Sequence, residues 1–316
     1  MSLIIDLEPP RRQLRRKGLK PLMERRFPLH LEPAILTVRT LYEQAKEARW
    51  DPERNIAWRI FRAADYTAEQ LQAARLSWSR RAWVEYAGFA ETPSILIRFC
   101  LEHGGESDPK MFLTVRGTEE AWHVDCAYRF AECAGGYLES PTNPDYARLF
   151  GLGLFRQAFD PALSPAAYLA AHVAVLDGID LELHRGYLRH ATDPLAASIL
   201  QRLVQDKERH AAFGWVYLHE QSSRWDDAMR SEIAEEISQI VLAIVFNGLH
   251  SPAFAPDGIA DEILAADAIT RGAGLGAATA EEEVFIVRQY LGEARSRFAE
   301  MGIEIGRLEH GRLGEF

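Results

Sequence analysis

Two short stretches of this 316-residue chain set acids and histidines at helical spacing, EEAWH at 119–123 and DKERH at 206–210. Glu120 and His123 are three residues apart, so on a helix they share a face and can grip one metal ion together. DKERH repeats the pattern, with Asp206 in the place of Glu119 and His210 in the place of His123, but Lys207 stands where Glu120 should recur. A single Glu-x-x-His pair arises by chance in many helical proteins. A twinned pair is the unit from which facing helices build a carboxylate-bridged dimetal site. Imidazole and carboxylate donors suit iron or manganese.

Such a site needs one further carboxylate from each partner helix. If the chain turns near residue 108, in GGESDP, His123 lies level with about residue 93. That selects Glu91, with Glu85 nearly two turns away as the runner-up. If it turns near residue 193, in HATDP, His210 lies level with about residue 176, which selects Asp177. Asp180 and Glu182 read as helix-surface or supporting groups. Asp180 and His184 have metal-compatible i, i+4 spacing and form an accessory pair at most. His172, His184 and His190 otherwise read as polar-face or capping histidines.

Lys207 shares the His210 face, and the chain holds only 5 lysines against 31 arginines. Three readings of it compete. Its ammonium replaces one metal ion, holding Asp177 and a second carboxylate while one ion stays on the Glu120–His123 side. Or the amine is neutral and acts as base, nucleophile or ligand, with Schiff-base or amine-donor chemistry open to it. Or a shift of helix register turns Asp206 or Glu208 inward and restores a two-metal site. Glu91, Glu120 and Asp177 carry −3 and a protonated lysine +1, so the remaining −2 balances one divalent ion.

These side chains require rods to carry them. Nearly every segment shows helical periodicity, and no run alternates convincingly as a strand. The spacing predicts helices over about 32–49, from a Thr67/Gln70 capping box through His103 with a kink near Pro93, and over 111–133, 165–191 and 195–221. Two or three more come after these, one ending near Gly248 and one opening at a Thr279/Glu282 capping box. GAGLGA, 272–277, has no strand before it and reads as a flexible connection rather than a phosphate loop. The fold class expected is all-α: a ferritin-like four-helix bundle with added N- and C-terminal helices. It would form a single domain over 31–316, preceded by a basic arm at 1–30. Trp122, Tyr128, Tyr187, Phe213 and Trp215 read as core, with Tyr187 the tyrosine closest in spirit to a redox position.

The segments AETPSILIRFCLE…EEAWH and LDGIDLELHRGYLRHATDPLAASILQRLVQDKERHAAFG resemble the ferritin-like di-iron family, over about residues 70–220. That family includes arylamine N-oxygenases and relatives of the ribonucleotide reductase small subunit. The resemblance implies Glu91, Glu120, His123, Asp177 and His210 as metal ligands, with Glu119 and Asp206 orienting the histidine of the opposite half. The last glutamate of the pattern falls on Lys207, and there the pattern breaks. The same resemblance implies an O2-activating non-haem iron enzyme, with manganese as the alternative metal. It would carry out N-oxygenation, hydroxylation, desaturation or oxidative cleavage of a small organic molecule, fed by an external electron donor. The rival expectation is a metal-free or one-metal bundle that serves as a binding protein.

Composition narrows the partners. A net charge of −10 argues against nucleic acid. Cys100, Cys126 and Cys133 show no paired spacing, which suits a reducing cytoplasm. The longest apolar run, 240–246, is far too short for a bilayer, so no membrane partner is expected. A homodimer is the default assembly.

Overall fold

The computed structural model describes residues 28–29, 31–102 and 105–316. The basic arm lies almost wholly outside the described residues, as does His103. The first helix, α1, spans Leu36–Glu47, shorter at both ends than its periodicity suggests.

Helices start where side chains can take up orphan amides. Thr67 Oγ1 accepts from the Gln70 amide (3.2 Å) and Gln70 Oε1 from the Thr67 amide (2.9 Å), opening α2, Ala68–Glu85. The expected single helix through this region is in fact two. The chain loosens at Tyr86–Ala87 and resumes as α3, Gly88–Glu102. Across the break, bonds run three residues back, Phe89 N to Tyr86 O (3.2 Å) and Ala90 N to Ala87 O (3.0 Å). Pro93 lies inside α3, nearly two turns beyond the break.

Helix α4, Asp108–Cys133, ends at Gly135 and Gly136, both at positive φ. After the short α5, Pro144–Phe150, a helical turn at Pro165–Tyr168 widens into a π-helix, Leu169–Leu176, which passes directly into α6, Asp177–Arg189. The sequence suggests an unbroken α-helix here. The wide segment is buried along its whole length, and α7, Pro194–Ser222, approaches it closely at Gly214. A Cβ at Gly214 would lie 2.8 Å from the Ala174 amide nitrogen. Asp193 caps α7 through the Ala196 amide (2.9 Å). Then come α8, Asp227–Ala243; α9, Asp261–Gly272; and α10, Ala280–Glu300, opened by the Thr279/Glu282 capping box. A two-residue pairing, Glu309–His310 with Gly314–Glu315, closes the chain as a small hairpin.

The consecutive rods pack as antiparallel neighbours. α2 and α3 lie on α4, α6 lies on α7, and α4 meets α7 between the pairs. α1 crosses α4 and α7, α9 covers α2, and α10 covers α6. This is the expected all-α, four-helix core with helices added at both ends. Trp78, Phe112, Phe130 and Phe213 are fully buried in it, whereas Tyr128 is exposed rather than core.

GAGLGA is a buried strap, not a flexible connection. Gly274 O accepts from the Thr192 and Asp193 amides (2.9 and 3.0 Å), Trp78 Nε1 donates to Leu275 O (3.0 Å) and Arg81 Nη2 to Gly276 O (2.8 Å). Gly274 and Gly276 sit at positive φ, where glycine alone is unstrained. Among the described residues no helix is long and apolar enough to cross a membrane.

Candidate metal centre

The four-helix core is charged at its middle. Arg116, Glu119, Glu120, His123, Asp206, Lys207 and His210 are each no more than 5% exposed. Four of them, Arg116, Glu120, Lys207 and His210, line a cavity of about 50 Å³ together with Glu85, Glu91, Asp177 and Asp180 from α2, α3 and α6. Ions so far from water must be paired or neutralised, and the pairing here is specific.

Glu85, at the C-terminal end of α2, is the hub. Lys207 Nζ lies 2.8 Å from its Oε1 and 2.9 Å from its Oε2, His184 Nε2 lies 3.2 Å from Oε1, and His123 Nδ1 lies 3.5 Å from Oε2. Lys207 donates its second bond to Asp180. His184 faces Asp180 in turn, with Nδ1 3.3 Å from Oδ1 and 2.8 Å from the Asp180 carbonyl. One donor atom each from Glu85, Asp180 and His184 lies within 4.8 Å of the others, close enough to share an ion.

The arithmetic that preferred Glu91 over Glu85 is therefore corrected. Glu85 holds the centre and Glu91 lines the cavity further along the rod. Both face the cavity, on either side of the break at Tyr86–Ala87, but it is Glu85 that meets Lys207, His184 and His123. Lys207 is corrected in the same way: it holds Asp180 and Glu85, not Asp177. Asp180 lines the cavity and His184 is buried beside it against Glu85, so neither is a surface group.

A second cation completes the pattern. Arg116, one turn before Glu120, places Nε 2.9 Å from Glu120 Oε1, and its terminal nitrogens 2.7 and 3.1 Å from the two oxygens of Asp177. Thr92 Oγ1 also donates to Glu120 Oε1 (2.9 Å). The residues that sequence reasoning missed are thus Arg116 and, as first choice, Glu85. The i, i+4 spacing of Arg116 and Glu120 was the available signal.

The histidines are held crosswise. His123 Nε2, on α4, lies 3.1 Å from Asp206 Oδ2 on α7, and His210 Nε2, on α7, lies 2.8 Å from Glu119 Oε2 on α4. Trp50 Nε1 donates to Asp206 (2.8 Å), and Arg209 bridges Asp206 and Glu119, reaching Glu119 at 2.6 Å. Asp206 is thereby turned to His123 rather than into the cavity. Glu208 lies on the surface with Arg185 (2.6 Å), so the register-shift reading of Lys207 is overturned. Tyr187 is a core residue whose ring meets the His184 ring edge-on at 5.5 Å and whose hydroxyl donates to Glu283 (2.8 Å). His172 stacks on Tyr168, and His190 pairs with Glu282 at 3.1 Å, both away from the cavity.

Protonation is set by these contacts. Burial alone would lower the Lys207 pKa, but Asp180 and Glu85 raise it above its ordinary value, which favours the ammonium. Burial would raise Glu85, yet Lys207, with hydrogen bonds from His123 and His184, holds it well below the carboxylate range. Glu91 is pushed up to about 7 by burial and then by Asp177 and Glu120. Asp177 rises to about 6 through burial, against the pull of Arg116. His210 is held neutral, by burial first and then by Arg116. Burial opposes His123 protonation, but hydrogen bonds to Asp206 and Glu85 lift it to about 9.

The donor set fits one divalent ion better than two. Five carboxylates face Lys207, Arg116 and a protonated His123, leaving −2, or −1 when Glu91 is protonated. One divalent ion brings the cavity close to neutrality; a second leaves it positive among buried cations. Glu120 Oε2 is buried with no hydrogen-bond partner among the described residues, and His184 Nε2 and His123 Nδ1 both meet the Glu85 carboxylate, at 3.2 and 3.5 Å. Glu85, Asp180 and His184 together gather donor atoms close enough to share one ion.

The chain matches no protein-family profile and no curated protein sequence. Solved structures do match it. An R2-like ligand-binding oxidase variant with an anaerobically reconstituted Mn/Fe cofactor is 15% identical at a TM-score of 0.62, over 82% of this chain and 92% of that one. Another variant, with an aerobically reconstituted Fe/Fe cofactor, is 16% identical at a TM-score of 0.59, over 85% of this chain and 93% of that one. At this identity the likeness shows the fold: the chain folds as those ferritin-like oxidases do.

Proposed function

We propose that the chain is a ferritin-like, metal-dependent oxidase or oxygenase that uses O2 to oxidise a small organic metabolite. It would hold one divalent ion, iron or in its place manganese, through Glu85, Asp180 and His184, with His123 beside them. The observation that carries this reading is the grouping of one donor atom each from Glu85, Asp180 and His184 within 4.8 Å of one another, beside a cavity that Glu85 and Asp180 line. The R2-like oxidases that share the fold carry Mn/Fe or Fe/Fe cofactors, which supports the choice of metals.

When bound, the ion supplies O2 binding and reduction. The chain's own residues do the rest. Lys207 neutralises Glu85 and Asp180 in place of a second ion, and Arg116 does the same for Glu120 and Asp177. Asp206 and Glu119 fix the His123 and His210 rings, and the packed bundle excludes water. An apolar hollow of about 310 Å³, lined by Trp83, Phe89, Phe150 and Phe155, shares Val84, Ala87, Glu91 and Leu249 with the polar cavity. It supports an organic substrate whose body lies there with one end beside Glu91. Electrons beyond those of the substrate would come from an external donor.

A second reading is favoured by one observation, the complete pairing of Lys207 and Arg116 with four carboxylates. On it the bundle is metal-free, the cations lock the helices, and the protein serves as a binding partner. Anomalous-scattering maps at the iron and manganese edges separate the two. One ion beside Glu85 and His184, together with O2 consumption by the loaded protein, supports the oxidase. Protein grown in metal-rich medium that shows neither ion sinks it.

A further inference from the structure

One wall of the cavity does not come from the bundle. Leu249 and His250 both line it, and both belong to the connection after α8, between the 3₁₀ turns Val245–Asn247 and Pro252–Phe254. His250 Nδ1 is buried and has no hydrogen-bond partner among the described residues. Burial holds the imidazole below its ordinary pKa, with Asp180 and Glu85 opposing and Lys207 and Arg80 assisting, so the ring is neutral and offers one donor and one acceptor. A buried polar nitrogen left unpaired is costly, and the residue that carries this one lines a cavity of about 50 Å³. That exceeds the roughly 10–15 Å³ needed for one water, so a few atoms of a small molecule fit.

The segment that carries it is clamped. Arg80 Nη1 donates to the His250 carbonyl (3.0 Å), and the neighbouring Ser251 hydroxyl donates to Glu283 Oε2 (2.6 Å). Glu283 is itself held by Tyr187. Gly248 turns the chain into the segment at φ +92, where a Cβ would meet Ala255 at 2.8 Å. Arg80, Ser251 and Glu283 are buried polar groups that the metal centre does not use.

We propose that His250 is the ligand-facing hydrogen-bond group of the cavity, positioned from outside the bundle by Arg80, Ser251 and Glu283. It bonds to the small molecule or substrate end that enters between Glu85, Asp180 and Glu91. What enters rests on the oxidase reading; the placement of His250 does not.

The test compares His250→Phe and His250→Gln with the wild type, using inorganic azide as the probe of iron-loaded protein and measuring iron content alongside. Iron content stays unchanged in both variants, azide binds roughly tenfold more weakly to His250→Phe, and His250→Gln recovers most of the loss. Unchanged azide affinity in His250→Phe overturns the proposal, and so does iron loss in both variants, which would make His250 an ion ligand. Glu283→Gln, with iron retained, weakens azide binding in the same direction; no change overturns the positioning half. Should the wild type take up no iron, the oxidase reading falls separately. A crystal structure of the metal-free protein then decides for His250: an ordered water within about 3.2 Å of Nδ1 inside the cavity supports it, and a ring bonded only to protein overturns it.

Discussion

Arg116 grips Asp177 through both terminal nitrogens while its Nε holds Glu120, so a guanidinium bridges carboxylates from two different rods of the bundle. Removing one partner of a buried pair leaves the other charges uncompensated, at a cost of about 3–5 kcal/mol. Arg116→Met is therefore expected to lower stability by about that much in metal-free protein. Divalent iron or manganese should restore part of it by taking the vacated position. Thermal melts with and without each ion measure this; a metal-insensitive loss counts against an ion-sized seat between Glu120 and Asp177.

Lys207→Glu is the matching change on the other side. It exchanges the ammonium for a carboxylate between Glu85 and Asp180, and metal content should rise from one ion per chain towards two. Elemental analysis of purified protein reads the result directly. A stoichiometry that does not move defeats the idea that Lys207 replaces an ion.

Gly88 packs against the Glu120 carboxylate so tightly that an added Cβ would sit 2.7 Å from its carbon. Gly88→Ala should displace that carboxylate, lower metal affinity and cost about 1–3 kcal/mol in stability through overpacking. Denaturant melts and metal titration together test it. A variant with wild-type affinity would show that Glu120 takes no part in ion binding.

The Thr279 capping box gives a pH signature remote from the centre. Hydrogen bonds from Arg271 lead in lowering the Glu282 pKa to about 2, with the Thr279 amide assisting. A depressed carboxyl stabilises the fold above its unfolded value near 4.5, and the contribution fades as pH falls from there to about 2. Glu282 is partly exposed, so solvent screening limits the effect to no more than about 1 kcal/mol. Glu282→Gln should lower stability by that amount at pH 7 and match the wild type at pH 2. Equal melting of the two at pH 7 would deny the ion pair any weight.

Periodicity and capping residues made the rods legible in the chain itself, because Thr67 and Thr279 act on amides only three residues away. The two Glu-x-x-His-like stretches were legible for the same reason: i, i+3 spacing survives whatever the tertiary fold does. What was hidden depends on contacts remote in sequence. Glu85 outranks Glu91 through its contacts with Lys207, His184 and His123 from three other helices, and Lys207 chooses Asp180 over Asp177 through packing of α6 on α7. His250 enters from a connection that no helical pattern marks. GAGLGA looked loose because glycine permits freedom; its burial comes from carbonyls that Trp78, Arg81 and the 192–193 amides bind.

Leu169–Leu176 contributes no polar ligand to the cavity, yet it acts as the phase-setter for the rod beyond it. Successive residues on an ordinary helix advance by roughly 100° about its axis. Deleting any one of these eight would swing Asp177, Asp180 and His184 by about that angle relative to the anchored start of the rod, turning all three donors away from Glu85 together. The chemistry of this interior thus hangs on the number of aliphatic residues that precede it.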